Sequence, residues 1–145
     1  MGIGSILVDR RNRRLDYLRL SVTDRCNLRC VYCMPSEGVP KLPHEEILSY
    51  EELHRLTRIA VGLGVRKIRL TGGEPLVRKG ICDFIARLSR LEGLRDLALT
   101  TNGVYLSDKI ERLKSVGIRR VNISLDSLRR ERYRAITGFD CLNQV

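Results

Sequence analysis

The sequence predicts an α/β fold: a parallel sheet curved as an open, partial (β/α) barrel, apolar outside and polar within. Two observations lead there. Strand-like and helix-like stretches alternate with short connections, the pattern of right-handed βαβ units. Within each strand, alternate residues sort into an apolar set and a polar set. A parallel sheet covered by helices on both faces reads instead as nearly continuous apolar runs. An interior that meets water or a polar ligand reconciles the two.

Taken in order, residues 1–16 carry no strong periodicity and make an irregular lead-in, basic at Arg10, Arg11, Arg13 and Arg14. The domain proper is expected over residues 17–145. Tyr17 to Thr23 alternates as a first strand. After the cysteine-bearing loop, Ser49 and Glu52 have the spacing of a capping box. The helix they open sets Leu53, Leu56, Ala60 and Leu63 on one face, and Gly64 stops it. Val65 to Thr71 reads as the second strand. Ile81 to about Leu91 forms a helix with Ile81, Phe84, Ile85, Leu88 and Leu91 inward, and Gly93 ends it. Arg95 to Thr101 is the third strand, turned by Asn102-Gly103. Ser107 is placed to cap a helix that runs to Val116, and Gly117 ends that helix. Arg119 to Leu125 makes the fourth strand, and Arg129 to Ile136 a last helix before Gly138. Asp140 to Val145 reads as the start of another helix. Four strands are too few to close a barrel, so the sequence is expected to be the N-terminal part of a longer chain.

Parity assigns the two faces. Leu18, Leu20 and Val22, Ile68 and Leu70, Leu97 and Leu99, and Val121, Ile123 and Leu125 point toward the helices. Arg19, Ser21 and Thr23, Lys67, Arg69 and Thr71, Ala98, Thr100 and Asn102, and Asn122, Ser124 and Asp126 point the other way. Basic residues on neighbouring strands of that face could clamp a phosphate chain.

At 145 residues, 30% of them charged, and with a mean hydropathy of -0.18, the composition is that of one soluble domain. The longest apolar stretch, near Ile59 to Val65, is far too short to cross a membrane, and no signal-peptide pattern opens the chain. A cytoplasmic location with reduced thiols and no membrane partner is expected. The excess of 27 basic over 17 acidic residues, a formal charge of +10, favours a polyanionic partner: nucleic acid, a nucleoside triphosphate or an acidic protein.

Cys26-Asn27-Leu28-Arg29-Cys30-Val31-Tyr32-Cys33 sets three thiols in C-x3-C-x2-C spacing. So short a spacing lets one loop aim three thiolates at a common centre, as iron–sulfur clusters require. A four-iron cluster on three cysteines leaves one iron open to an amino and a carboxylate group. Zinc would want a fourth protein ligand, and His44 and His54 fall at no familiar spacing. A disulfide framework suits neither the compartment nor five cysteines. Thr71-Gly72-Gly73-Glu74-Pro75 follows the second strand at the end where parallel α/β folds bind ligands. Its paired glycines allow close backbone approach.

The cysteine loop within Ser21-Val22-Thr23-Asp24-Arg25-Cys26, then Tyr32-Cys33-Met34-Pro35, Thr71 to Leu76, Thr100-Thr101-Asn102-Gly103 and Asn122-Ile123-Ser124-Leu125-Asp126, together resemble the molybdenum cofactor biosynthesis protein A family, the GTP 3′,8-cyclases of the radical S-adenosylmethionine (SAM) superfamily. The resemblance runs from about Asp9 to the end. It implies a 4Fe–4S cluster on Cys26, Cys30 and Cys33. It implies SAM contacts from Tyr32, Gly73 and Ser124, and GTP contacts from Arg19, Arg69 and Thr100, with Lys67 a further phosphate contact. It implies a lyase of molybdenum cofactor biosynthesis that takes hydrogen from C3′ of GTP and joins that carbon to C8 of guanine. An electron donor for the cluster and a homodimer of the full-length protein also follow from it. The family's second 4Fe–4S cluster belongs to a C-terminal part beyond this sequence. Cys82 and Cys141 have no cluster spacing and read as ordinary thiols. Glu74 and Asp126 read as local hydrogen-bonding groups, since radical hydrogen abstraction needs no acid–base pair. Two rivals stand beside this reading: a radical SAM enzyme modifying RNA or a peptide, and a non-catalytic iron–sulfur or zinc module. With two Phe and no Trp the chain has little to stack on bases, so nucleic acid is not the expected partner.

Overall fold

Each strand pairs in parallel with the next. In the computed structural model, which describes residues 7–35, 37–38, 40 and 42–145, the strands are β1 (Tyr17–Ser21), β2 (Lys67–Thr71), β3 (Asp96–Thr101) and β4 (Arg120–Ile123), in the sheet order β1-β2-β3-β4. Helices α1 (Tyr50–Gly62), α2 (Ile81–Leu88) and α3 (Leu106–Ser115) connect them, and α4 (Arg130–Thr137) follows β4. Sequential order without reversal is that of one wall of a (β/α) barrel, not of a doubly wound sheet.

Register carries the parity argument across the sheet. Leu20, Leu70, Leu99 and Val121 form one row on the helix side, and Leu18, Ile68 and Leu97 another. Ile68, Leu70, Leu97 and Leu99 are buried there with Phe84, Ile85 and Leu88 of α2 and Leu113 of α3. The opposite face aligns Arg19, Arg69, Ala98 and Arg120 in one row. Arg19, Lys67 and Asn122 are exposed on it, while Ala98 is buried between its two arginine neighbours.

Several boundaries differ from the sequence expectation. β1 stops at Ser21, because Val22 gives one last N–H to Thr71 and the chain then bends into the cysteine loop. β4 is shorter at both ends, and Ile123 and Leu125 are exposed, as no strand among the described residues lies beyond them. α2 ends at Leu88, short of Leu91. The cap of α3 is Tyr105 rather than Ser107; the amide of Leu106 is bonded to Gly103 instead. The end of the chain makes a 3-10 turn, Leu142–Gln144. The lead-in is not featureless where described: Val8 and Arg14 form an antiparallel bridge, and the Leu7 amide bonds the carbonyl of Leu63.

The capping box of α1 forms, with Glu52 N–H on Ser49 Oγ at 3.2 Å and Ser49 N–H on Glu52 Oε2 at 2.7 Å. The buried stripe is Leu53, Thr57 and Val61, whereas Leu56 and Leu63 are 48% and 37% exposed. Thr57 can face the core because its hydroxyl donates to the Leu53 carbonyl at 2.7 Å, so burial leaves no polar group unmet. Leu53→Ala should therefore cost about 2–5 kcal/mol of unfolding free energy and Leu56→Ala under about 1. Equal losses in chemical denaturation would restore the face expected from the sequence. His54 is half-buried on α1, and the side chain of His44 lies outside the described residues.

Candidate metal and cofactor site

The loop that leaves β1 is fastened on three sides before it presents a thiol. Arg29 and Val31 give their N–H groups to the carbonyls of Thr137 and Ile136, at 2.8 and 2.9 Å, which seats the loop on the end of α4. Gly138, left-handed at φ 75, lets α4 end there without a side chain striking Arg29. The Arg29 guanidinium donates to the carbonyls of Cys26 and Leu28. Finally, Cys33 and Met34 give their amides to the Cys30 carbonyl, turning the chain so that Cys30 and Cys33 come round together.

All three cysteines are free thiols, Cys26 and Cys30 half-buried and Cys33 exposed. Burial pushes the Cys26 and Cys30 thiols up from their ordinary value, and the carboxylates of Glu74 and Asp126 beyond the loop add to that. Against that, the Leu28 N–H reaches Cys26 Sγ at 3.4 Å. Among the described residues, no three His, Cys, Asp or Glu side chains converge tightly enough to hold a single metal ion. In a cubane each thiolate takes its own iron, so three separated thiols on one loop fit a cluster better than a tetrahedral zinc centre.

The glycines after β2 lock onto the same loop. Gly73 gives its N–H to the Thr23 carbonyl at 2.7 Å and Glu74 to the Arg25 carbonyl at 2.8 Å. A Cβ on Gly73 would stand 2.3 Å from the Arg25 oxygen. With its N–H spent, Gly73 has its carbonyl oxygen to offer a ligand's amino group. Glu74 turns inward and is 1% exposed. Its carboxylate accepts from Leu76 N–H at 3.0 Å, Thr101 Oγ1 at 2.8 Å and Asn102 N–H at 2.7 Å. Burial pushes this carboxyl above its ordinary value, while the three hydrogen bonds hold it down. Glu74 thus ties the end of β2 to the end of β3. Asn102 completes the circuit, its Nδ2 donating to Asn27 Oδ1 at 2.8 Å.

Beyond β4, the Ser124 N–H bonds the Thr101 carbonyl at 2.9 Å, and Asp126 accepts from the Tyr32 hydroxyl at 3.0 Å. Cys26, Cys30, Cys33, Tyr32, Gly73 and Ser124 therefore gather at the C-terminal end of the sheet. Arg19 and Arg69 are direct neighbours in register on the polar face. Arg69 lies over the Tyr17 ring at 5.7 Å, and its buried Nε finds no acceptor among the described residues. Thr100 pairs with Asn122 on β4. Lys67 stands apart: it opens β2, about 13 Å below Thr71 at ordinary strand rise, and is bonded to Asp16 at 3.1 Å. Cys82 lies on α2, packed against the core on the helix side, and Cys141 near the last turn.

Sequence reasoning placed Asn102 on the polar face and in the turn but gave it no role, and gave Glu74 and Asp126 no definite partners. Parity carries Asn102 one step past Thr100 on that face; only the fold shows the loops it joins.

The Radical SAM superfamily model matches residues 20–144. A GTP 3′,8-cyclase of Geobacter sulfurreducens is 61% identical over 139 residues, covering 96% of this chain and 43% of that protein. One of Thermodesulfovibrio yellowstonii is 56% identical, covering 94% and 43%. Among solved structures, Streptococcus suis SuiB bound to S-adenosylmethionine superimposes with a TM-score of 0.65 at 21% identity, over 85% of this chain and 28% of that one. BtrN in complex with AdoMet and 2-DOIA gives 0.58 at 19%, over 83% and 50%. At such identities these two share the fold. The chain spans 43% of the length of these curated relatives.

Proposed function

The chain belongs to the radical SAM superfamily, and from that premise we propose that it carries the cluster and SAM chemistry of a GTP 3′,8-cyclase. The observation that carries the reading is the placing of the Arg19–Arg69 pair on the polar sheet face, below a loop of three free thiols. The identity to GTP 3′,8-cyclases over nearly the whole chain supports it.

Cys26, Cys30 and Cys33 hold a 4Fe–4S cluster in this reading. Reduced by an external one-electron donor, such a cluster would supply the electron for reductive cleavage of bound SAM, and the resulting 5′-deoxyadenosyl radical would take hydrogen from C3′ of the GTP ribose. The protein's own contribution is placement. The Gly73 carbonyl accepts from the amino group of SAM, and Ser124 and the Tyr32 segment border the rest of that ligand. Arg19 and Arg69 bind the triphosphate with charge-assisted hydrogen bonds, for which Arg69 has an unspent buried donor. Thr100, on the neighbouring strand, faces the same ligand. Lys67 contributes positive field rather than a direct bond while Asp16 holds it.

The test is reconstitution of the full-length protein with iron and sulfide, followed by incubation with a reductant, SAM and GTP. GTP-dependent formation of 5′-deoxyadenosine together with 3′,8-cyclo-7,8-dihydro-GTP is the expected result. SAM cleavage indifferent to GTP would refute the substrate. Arg69→Ala should weaken GTP about ten- to a hundred-fold, the worth of roughly 1.5–3 kcal/mol for a hydrogen bond to a charged group. SAM affinity should hardly change. Parallel loss of both ligands, measured by calorimetry, would make Arg69 a structural residue.

A further inference from the structure

The Asn102 side chain is held more firmly than a turn requires. Its backbone N–H is fixed by the buried Glu74 carboxylate at 2.7 Å, and its Oδ1 accepts from Val104 N–H at 3.1 Å. Those contacts settle which end of the amide is which: the oxygen faces its own turn, so the NH2 faces the cysteine loop. One of its hydrogens goes to Asn27 Oδ1 at 2.8 Å. The other is directed at Cys26 Sγ, with nitrogen and sulfur 3.9 Å apart. Cys26 already receives the Leu28 N–H at 3.4 Å. Its sulfur is therefore approached by two N–H donors, one of them supplied from a different strand.

We propose that Asn102 is a positioning residue that sets the reduction potential of the cluster by donating its side-chain N–H to the sulfur of Cys26. An N–H aimed at a ligating sulfur stabilises the added negative charge of the reduced cluster more than the oxidised one, and so raises the potential. The donor is fixed by Glu74, the residue that follows the glycines offered to SAM. The segment presented to SAM and the sulfur's hydrogen bond thus hang from one buried carboxylate. The inference rests on the reading of Cys26, Cys30 and Cys33 as cluster ligands.

The test compares the protein with its Asn102→Leu and Asn102→Asp variants after reconstitution with iron and sulfide. Iron and acid-labile sulfide are counted, and the midpoint potential is read by redox titration followed by electron paramagnetic resonance. Leucine keeps the shape without a donor; aspartate keeps the shape and puts an anionic oxygen where the NH2 was. Both midpoints should fall below that of the unaltered protein, aspartate further than leucine, at unchanged iron per folded chain. Asn102→Gln, which retains an NH2 donor, should recover part of the shift. Midpoints that do not move in cluster-bearing variants would overturn the inference and leave the cluster assignment intact. Folded variants that bind no iron would overturn it too, since Asn102 would then be needed to build the loop rather than to tune it. An unaltered protein that takes up no cluster would remove both.

Discussion

Replacing Cys30 with serine should abolish both the brown chromophore of the reconstituted protein and its cleavage of SAM. The reason lies in the arithmetic of the site. In the proposed site three thiols serve one cluster, and a hydroxyl at the middle position is a poor substitute for a thiolate toward iron. No replacement is at hand: Cys82 is on the helix side of the sheet, packed against the core. The loop should stay folded, because its anchors are main-chain bonds from Arg29 and Val31 to the end of α4 and none passes through the Cys30 thiol. Circular dichroism unchanged from the parent, with iron content near zero, is the expected pair of results. Cys82→Ser should keep full cluster absorption. Full absorption in Cys30→Ser as well would break the assignment of the three ligands.

What the chain's order of residues reveals, and what it hides, divides along a physical line. The parallel sheet, its polar face and the helix faces of α2 are periodic properties, and periodicity is local. Arg19 and Arg69 fall opposite one another because both strands obey the same two-residue repeat. The burial of Thr57 in place of Leu56 follows from the rotation of α1 on the sheet, which a neighbouring element fixes. A polar residue whose hydroxyl bonds its own helix is cheap to bury, so the apolar spacing alone misassigns the stripe. The Glu74–Thr101–Asn102–Asn27 circuit is still less legible. Its members come from the end of β3 and from three loops that meet only when β1, β2 and β3 align. Lys67 shows a different limit: parity assigns its face but says nothing of height along the strand, and Asp16 bonds it at the far end.

Gly73→Ala should be far more damaging than its single added methyl suggests. That Cβ would sit 2.3 Å from the Arg25 oxygen, 2.6 Å from the Arg25 carbonyl carbon and 2.9 Å from the Asp24 oxygen, all main-chain atoms. No rotamer change relieves such a contact, so one of the two backbones must withdraw by about an ångström before an ordinary 3.4 Å contact is restored. Withdrawal breaks the bonds Gly73 makes to Thr23 and Glu74 makes to Arg25, which join the glycine segment to the start of the cysteine loop one residue before Cys26. Overpacking of about 1–3 kcal/mol and two hydrogen bonds at about 1 kcal/mol each set the scale, a loss of roughly 3–5 kcal/mol. Because the apolar helix side of the sheet is untouched, the variant should still fold at low temperature while its thermal midpoint drops and its iron content falls sharply. Gly62→Ala provides the contrast. Gly62 is the last residue of α1, and a methyl added there would meet nothing within 4 Å, so alanine should be neutral or stabilise by up to about 1 kcal/mol. A Gly73→Ala protein with parental iron content and thermal midpoint would mean that the two loops are not interlocked as described, and the proposed seating of a cluster beside the glycine segment would have to be rebuilt from other contacts.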